Sequence, residues 1–187
     1  MANTFNTEHR VGIFIDIQNL YHSARNLYGS RVNYKELVKN LVAGRRLVRT
    51  VAYVVSSDPQ TGEEAFFDAL EKAGIELRMK DIQVYPSGAK KADWDVGMAV
   101  DAIKMAPNFD VIILVTGDGD FIPLVEYMQA GFGKIIEVAA FSKTTSGKLK
   151  EKADRFIDIE NVPKAIFKTE KSRKSGVKNV SSTTKKE

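Results

Sequence analysis

Cysteine is absent from the 187 residues, and histidine occurs only twice, as His9 and His22. The missing thiols exclude disulfide bonds, zinc fingers, iron–sulfur ligation and a thiol nucleophile, and two histidines are too few for a histidine-rich metal site. Any metal ion that binds this chain must therefore have oxygen ligands.

Long apolar runs are also absent. The longest aliphatic run covers residues 111–115, whereas a membrane span needs about 20 apolar residues. The first ten residues are polar and lack the apolar stretch of an export signal. We therefore expect a cytoplasmic protein that is neither exported nor embedded in a membrane.

Basic residues exceed acidic residues by 28 to 24, a formal net charge of +4, and the excess comes from one end of the chain. Residues 168–187 contain seven Lys or Arg, two Glu and only two aliphatic residues, a composition typical of disordered segments. We predict a disordered N-terminus over residues 1–9, one folded domain over 10–167 and a basic disordered tail over 168–187. Contact with phosphate groups and simple solvation are equally compatible with the composition of this tail.

Short apolar runs alternate with helical patterns through the predicted domain. This alternation is typical of βαβ units and predicts an α/β fold, a three-layer α/β/α sandwich with a mainly parallel, Rossmann-like sheet. Strands are predicted over residues 11–16, 47–56, 75–85, 109–116, 134–141 and 155–159, and helices over 17–28, 33–44, 61–74, 93–105, 121–130 and 146–153.

Aspartates follow the predicted strands at the edge where ligands bind in open parallel sheets. Asp16 ends the first strand. Asp118 and Asp120 follow the apolar strand at 111–115, and Gly117 and Gly119 beside them permit a tight turn. Asp93 and Asp95 begin the helix after the Pro86–Gly88 break and would reach the same edge if the chain returns there. Converging carboxylates repel one another unless a cation neutralises them, so this edge predicts a site for Mg²⁺ or Mn²⁺.

Each aspartate also has a structural interpretation. Asp16 or Asp120 would serve as a helix N-cap, Asp118 as a turn residue, and Asp93 or Asp95 as a cap or a first-turn acid. Helical geometry places Asp101 on the solvent side, opposite an inward stripe formed by Val96, Ala99, Val100 and Ile103.

Three segments together resemble the NYN domain family, the LabA-like members of the PIN-like nuclease superfamily. They are Ile15-Asp16-Ile17-Gln18-Asn19-Leu20, Lys91-Ala92-Asp93-Trp94-Asp95-Val96 with Asp101 further along the helix, and Thr116-Gly117-Asp118-Gly119-Asp120-Phe121. The resemblance covers residues 10–162 and implies a PIN-like fold with a ribonuclease centre that depends on Mg²⁺ or Mn²⁺.

Position by position, the resemblance assigns roles to six residues. Asp16, Asp95 and Asp118 would be catalytic, and the same three with Asp120 would bind metal. Asn19 matches the polar residue beside the first aspartate, and Asp101 matches an acid of the mid-chain helix, against the helical geometry. Asp93 is an additional acid, so either Asp93 or Asp95 would face the metal.

Three residues next to these acids are candidates for RNA contact. Lys90 and Lys91 would hold phosphates, with a solvated loop as the alternative. Trp94 would stack on an unpaired base, although packing against its own helix is the more common role of such a residue.

The leading hypothesis is a metal-dependent nuclease that hydrolyses single-stranded or structured RNA. The alternative is an RNA-binding or regulatory module with little or no activity on the same fold, and a homo-oligomer is compatible with either. Other phosphate-handling classes fit poorly, because Gln18 replaces the second aspartate of a dehalogenase-type phosphatase. No glycine-rich turn follows the first strand, which disfavours a dinucleotide enzyme. Ile122 stands where an EF-hand needs an oxygen ligand.

Overall fold

The computed structural model describes residues 6–56, 63–81, 83–84, 90–91 and 93–167. The predicted tail at 168–187, the Pro86–Gly88 break and the predicted helix start at Thr61 lie outside the described residues. The strands are β1 (Arg10–Asp16), β2 (Arg46–Ser56), β3 (Glu76–Asp81), β4 (Gln83–Val84), β5 (Lys90–Lys91), β6 (Val111–Val115), β7 (Ile135–Ala140) and β8 (Arg155–Asp158). The helices are α1 (Ile17–Tyr28), α2 (Tyr34–Val42), α3 (Glu64–Lys72), α4 (Asp95–Met105), α5 (Ile122–Phe132) and α6 (Gly147–Lys152).

Six strands form one sheet in the order β3-β2-β1-β6-β7-β8, and every neighbouring pair is parallel. From β1 the chain builds outward to β3, then crosses back to β6 and builds outward to β8 on the other side. The two directions separate between β1 and β6, which makes this gap the topological switch point of the sheet. The antiparallel pair β4-β5 forms a small separate ribbon.

Helices cover both faces of the sheet, so the predicted three-layer α/β/α sandwich is confirmed. One core cluster joins the sheet to α1, α2 and α3, and the other joins it to α4, α5 and α6. All five residues of β6 are buried, as expected for a central parallel strand covered on both faces. No helix within the described part of the chain is long and apolar enough to cross a membrane.

The end of helix α5 differs from its predicted position. The predicted stop for α5 was Gly131, but this helix continues to Phe132 and ends at Gly133, which has a φ of 59°. Gly131 stays helical because a glycine inside a helix costs only about 1 kcal/mol relative to alanine, and the Tyr127 ring packs over it at 3.5 Å from the position of a β-carbon. A glycine thus ends a helix where the left-handed conformation is needed, and its presence alone does not end one.

The inward stripe predicted for α4 is wrong at its two valines, whereas Ala99 and Ile103 are partly buried and pack against the core. Val96 and Val100 are 74% and 55% exposed, whereas the buried residues of this helix are Met98, Ala102 and Met105. The helix is rotated so that its larger side chains fill the space above the sheet, and Asp95 lies on the flank of that buried face. This rotation determines which acids reach the edge of the sheet.

A buried ion pair lies at the opposite end of the sheet. The Arg45 guanidinium donates to both carboxylate oxygens of Glu137 at 2.9 Å, and both side chains are almost completely buried. Arg45 also donates to the carbonyls of Leu41 and Val42 at the end of α2. The pair therefore ties the end of α2 to strand β7.

Candidate metal centre

Two neighbouring strands deliver acidic residues to the switch point. Strand β1 ends at Asp16. Strand β6 ends at Val115, and the chain then passes through Asp118 into a short 3₁₀ turn at Gly119–Phe121 that contains Asp120. Because β1 and β6 are adjacent and parallel, their carboxyl ends meet at one edge. This placement is the one expected from the sequence.

Three carboxylates meet at this edge. Asp95, Asp118 and Asp120 each offer an oxygen, and these oxygens all lie within 4.8 Å of one another. Asp95 comes from the start of α4, so the mid-chain helix does return to the edge. Between the two candidates at this helix, the structure places Asp95 in the group of three and Asp93 beside it. An oxygen-only donor set of this size fits a hard divalent cation such as Mg²⁺ or Mn²⁺.

Asp16 is adjacent to this group and is not one of its three members. Its Oδ1 accepts the backbone N–H of Asn19 at 3.0 Å, which makes Asp16 the N-cap of α1, and its Oδ2 accepts the Thr116 hydroxyl at 3.3 Å. Burial raises the pKa of the Asp16 carboxyl, against the lowering effect of the Asn19 and Thr116 hydrogen bonds. Asp16 can therefore serve both as the N-cap of α1 and as a residue of the site, the two roles that the sequence analysis gave as alternatives.

The turn that carries Asp118 is fixed by hydrogen bonds from three directions. The Asn19 side-chain oxygen accepts the Gly117 N–H at 3.0 Å, and the Thr116 hydroxyl accepts the Asp118 N–H at 3.3 Å. The N–H of Ser146, in the loop before α6, donates to the Gly117 carbonyl at 3.0 Å. A β-carbon at Gly117 would lie 3.1 Å from the backbone oxygen of Thr144, so the close approach of this loop favours glycine.

Asp120 does not cap α5. The Asp118 side chain instead accepts the Asp120 N–H at 2.9 Å, and α5 begins after Phe121 without a side-chain cap. The Asp120 carboxylate therefore does not act as the helix N-cap that the sequence analysis allowed for it. One of its oxygens belongs to the group of three.

Asp95 shows the electrostatic strain of the cluster. Burial raises the pKa of its carboxyl to about 6, and the charges of Asp118, Asp16, Asp93 and Asp120 contribute in the same direction. Like charges that raise a pKa in this way are relieved either by protonation or by a bound cation.

This pKa shift predicts how stability depends on pH without metal. The folded protein holds a proton on Asp95 and Asp16 more tightly than the unfolded chain does, so lowering the pH favours folding. In EDTA, we expect the Tm to rise between pH 7.5 and pH 5.5. Carboxylates whose pKa is lowered by arginine partners, such as Asp110 and Glu76, lose their stabilising effect only at more acidic pH.

The measurement is a thermal melt by circular dichroism at several pH values, with EDTA or with millimolar Mg²⁺. Excess metal removes the rise, because the cation favours the ionised carboxylates. A Tm in EDTA that stays constant or falls over this interval contradicts the strained cluster.

Asp101 lies apart from the group of three, further along α4. It accepts the Tyr53 hydroxyl at 3.0 Å and forms an ion pair with Arg78 at 3.4 Å, and its side chain is 25% exposed. Burial and the Asp101 charge raise the pKa of Tyr53, so this phenol remains a neutral donor. Asp101 thus faces strands β2 and β3, and the solvent-facing position expected from helical geometry is wrong.

The Trp94 side chain is fixed in place by contacts with neighbouring residues. Its indole N–H donates to the Val54 carbonyl at 2.8 Å, its ring meets Tyr53 edge-on at 5.4 Å, and Lys80 lies over it at 5.7 Å. These contacts favour packing over base stacking for Trp94. Lys90 and Lys91 form strand β5, and RNA contact by these lysines stays a prediction.

Thr116 is a site residue that the sequence analysis did not single out. Its hydroxyl links the Asp16 carboxylate to the backbone of Asp118, and it is completely buried. The signal was present, because a hydroxyl residue ends an otherwise aliphatic strand directly before Gly117.

The fold and the acidic edge together define a class, an α/β protein whose parallel sheet presents a carboxylate cluster suited to a divalent cation at its switch point. Comparison with known families agrees with this class, since the sequence profile of the NYN domain matches residues 10–160. The chain belongs to the NYN domain family, a family of PIN-like nucleases.

Two individual proteins are similar over most of the chain. The low amplitude and bright protein LabA of Synechococcus elongatus is 28% identical over 171 residues, which cover 87% of this chain and 90% of LabA. A crystal structure of a protein of unknown function from Vibrio parahaemolyticus is 33% identical, with a TM-score of 0.78, and the match covers 88% of this chain and 99% of that one. The LabA-like assignment and the PIN-like fold are therefore confirmed.

Proposed function

We propose that this protein is a ribonuclease that hydrolyses RNA phosphodiester bonds with Mg²⁺ or Mn²⁺ bound at the acidic edge. The observation that carries the proposal is the convergence of Asp95, Asp118 and Asp120 within 4.8 Å at the switch point of an NYN-family sheet. In hydrolysis, a water oxygen forms the new bond to phosphorus and the ester oxygen leaves.

In this proposal, Asp95, Asp118 and Asp120 hold the cation, and the raised pKa of Asp95 supports that assignment. A bound divalent cation supplies positive charge that stabilises the phosphodiester in its transition state and makes water a better nucleophile. Through this cation, the carboxylates would also set the position of the substrate phosphate. Their oxygens come from two separate elements, the start of α4 and the turn after β6, and these elements together fix the position of the cation.

Asp16, Asn19 and Thr116 position this group. Asp16 connects α1 to Thr116, while the Asn19 side-chain oxygen and the Thr116 hydroxyl accept the successive backbone N–H groups of Gly117 and Asp118. The carboxylates are thus held in place before substrate binds, which reduces the reorganisation needed in the transition state. The catalytic role that the resemblance implies for Asp16 remains part of the proposal, through its contact with this turn.

The test is an RNA cleavage time course with Mg²⁺, Mn²⁺ or EDTA, together with thermal melts under the same conditions. We expect cleavage in either metal and none in EDTA. A ligand at 100 times its Kd stabilises the folded state by about 2.7 kcal/mol, so the Tm should rise by about 7 °C at saturating metal.

The outcomes separate the proposal from the alternative. RNA binding without cleavage in either metal would support an RNA-binding or regulatory module on the same fold. If the protein shows neither cleavage nor a metal-dependent change in Tm, the metal centre itself is contradicted.

A further inference from the structure

Helix α1 carries a group of exposed side chains that neither the core nor the acidic centre uses. We call Tyr21, His22 and Arg25 the α1 cluster. Arg25 donates from Nη1 to the Tyr21 hydroxyl at 2.6 Å, and its guanidinium lies 5.9 Å from the centre of the Tyr21 ring. The His22 ring meets Tyr21 edge-on at 5.4 Å.

These contacts hold an aromatic ring at the surface. Tyr21 is 41% exposed and belongs to neither core cluster. Tyr28, on the same helix, instead packs against the core and the Phe141 ring. The Tyr21 ring is therefore ordered by residues of its own helix, and burial does not explain its position.

The α1 cluster begins one turn from the acidic centre. Helix α1 starts directly after Asp16, so Tyr21 lies about 7.5 Å further along the helix axis. With about 100° of rotation per residue, His22 lies beside Asn19, the residue that binds the Gly117 turn. Arg25 and Tyr21 continue around the exposed face. A strand that leaves the acidic centre across His22 therefore reaches the Tyr21 ring.

The charge of α1 favours a polyanion. Residues 17–28 contain Arg25 and no Asp or Glu, although the neighbouring edge of the sheet is acidic. Arginine contacts phosphate well, and an exposed aromatic ring stacks on any base that is not paired. Bases inside an RNA duplex cannot offer this face, because they are stacked on one another.

We propose that the α1 cluster binds single-stranded RNA, with Tyr21 stacking on an unpaired base and Arg25 contacting the adjacent phosphate. This inference rests on the proposed function and deepens it, because it selects single-stranded over duplex RNA for the strand that enters the acidic centre. Tyr21 acts in binding and does not touch the reacting phosphate.

The test measures binding separately from cleavage. Fluorescence anisotropy in EDTA, with a labelled single strand of about 12 nucleotides and the matching duplex, compares the wild type with Tyr21→Ala, Tyr21→Phe and Tyr127→Ala. Tyr127 is a matched control, since it is 52% exposed on α5 and meets Phe132 edge-on at 5.6 Å. We expect Tyr21→Ala to weaken single-strand binding about tenfold. Tyr21→Phe, which keeps the ring, and Tyr127→Ala should bind like the wild type.

Kinetics supply a second measurement. In Mg²⁺ or Mn²⁺, Tyr21→Ala should raise KM about tenfold for a single strand and leave kcat unchanged, as expected when binding is lost equally in the ground state and the transition state. Duplex binding should not change in any of these variants.

The outcomes distinguish this inference from the proposed function. If Tyr21→Ala binds the single strand like the wild type, or loses single-strand and duplex binding equally, the stacking inference is overturned while any observed cleavage stands. If the wild type binds the single strand through Tyr21 but never cleaves it, the inference stands and the proposed hydrolysis is overturned. A wild type that binds no RNA in EDTA and cleaves none in Mg²⁺ or Mn²⁺ overturns both.

Discussion

Replacing Asp118 by asparagine is expected to reduce metal-dependent RNA cleavage by at least about 10³-fold. Asp118 shares the group of three carboxylates and is the member that the turn after β6 holds most firmly. Asparagine removes one negative charge from the cation site. A bound metal contributes several kcal/mol of transition-state stabilisation, and each 1.36 kcal/mol corresponds to a factor of ten in rate.

The Asp118→Asn substitution should preserve the fold. The asparagine side-chain oxygen can still accept the Asp120 N–H, as Asp118 Oδ1 does at 2.9 Å. In EDTA the variant should be at least as stable as the wild type, because one of the charges that raise the pKa of Asp95 is gone.

The matched control is Asp68→Asn on α3, an exposed acid whose partner is Lys72 at 3.9 Å. This variant should cleave RNA like the wild type, since it changes the net charge equally but lies outside the acidic centre. The measurement is cleavage of labelled RNA with time for all three proteins, purified in parallel. Equal cleavage by Asp118→Asn and the wild type would assign the activity to a contaminant or to another site.

The sequence predicted the sheet and the carboxylates of the switch point because those residues obey local rules. Strand β6 is a short, fully apolar run, and an apolar run of this length with turn signals after it is typical of a buried parallel strand. Asp16 is the last residue of β1, and Asp118 lies three residues after the end of β6. Both therefore stand at the carboxyl edge of a parallel sheet, where the sequence analysis expected them.

The orientation of α4 was not predictable in the same way. Its valines suggested an inward stripe, but the buried face is set by larger residues that contact distant strands. A β-carbon at Gly97 would lie only 2.6 Å from the Trp94 ring, so this glycine makes room for the ring. The Trp94 indole N–H in turn donates to the Val54 carbonyl. Asp101 is half-buried because Tyr53 and Arg78 provide its partners. Such tertiary partners override the apolar and polar pattern of a short helix.

The buried ion pair between Arg45 and Glu137 predicts the largest effect on stability outside the acidic centre. Replacing Arg45 by methionine leaves Glu137 buried without its two hydrogen bonds at 2.9 Å. A second cation near this carboxylate among the described residues, Arg155, is 3.7 Å away and partly exposed. Removing one partner of a buried pair costs about 3 to 5 kcal/mol, a large part of the total stability of an ordinary domain.

Chemical denaturation measures this loss as a lower midpoint, and a thermal melt should show a decrease in Tm of about 10 °C. The exposed pair between Arg49 and Glu76, with a distance of 2.7 Å, is the control. Arg49→Met should cost at most about 1 kcal/mol, because water screens and solvates charges at the surface. Equal losses at the two sites would contradict the argument from burial.

The double variant Arg45→Met with Glu137→Leu separates the attraction between the charges from the cost of burying them. Two apolar side chains of similar size need no hydrogen bonds, so the double variant should recover most of the stability that Arg45→Met loses. If it is instead as unstable as the single variant, the contacts of Arg45 with the Leu41 and Val42 carbonyls are what stabilise the fold. In that case the role of Arg45 is to hold the end of α2, and Glu137 contributes by orienting the guanidinium.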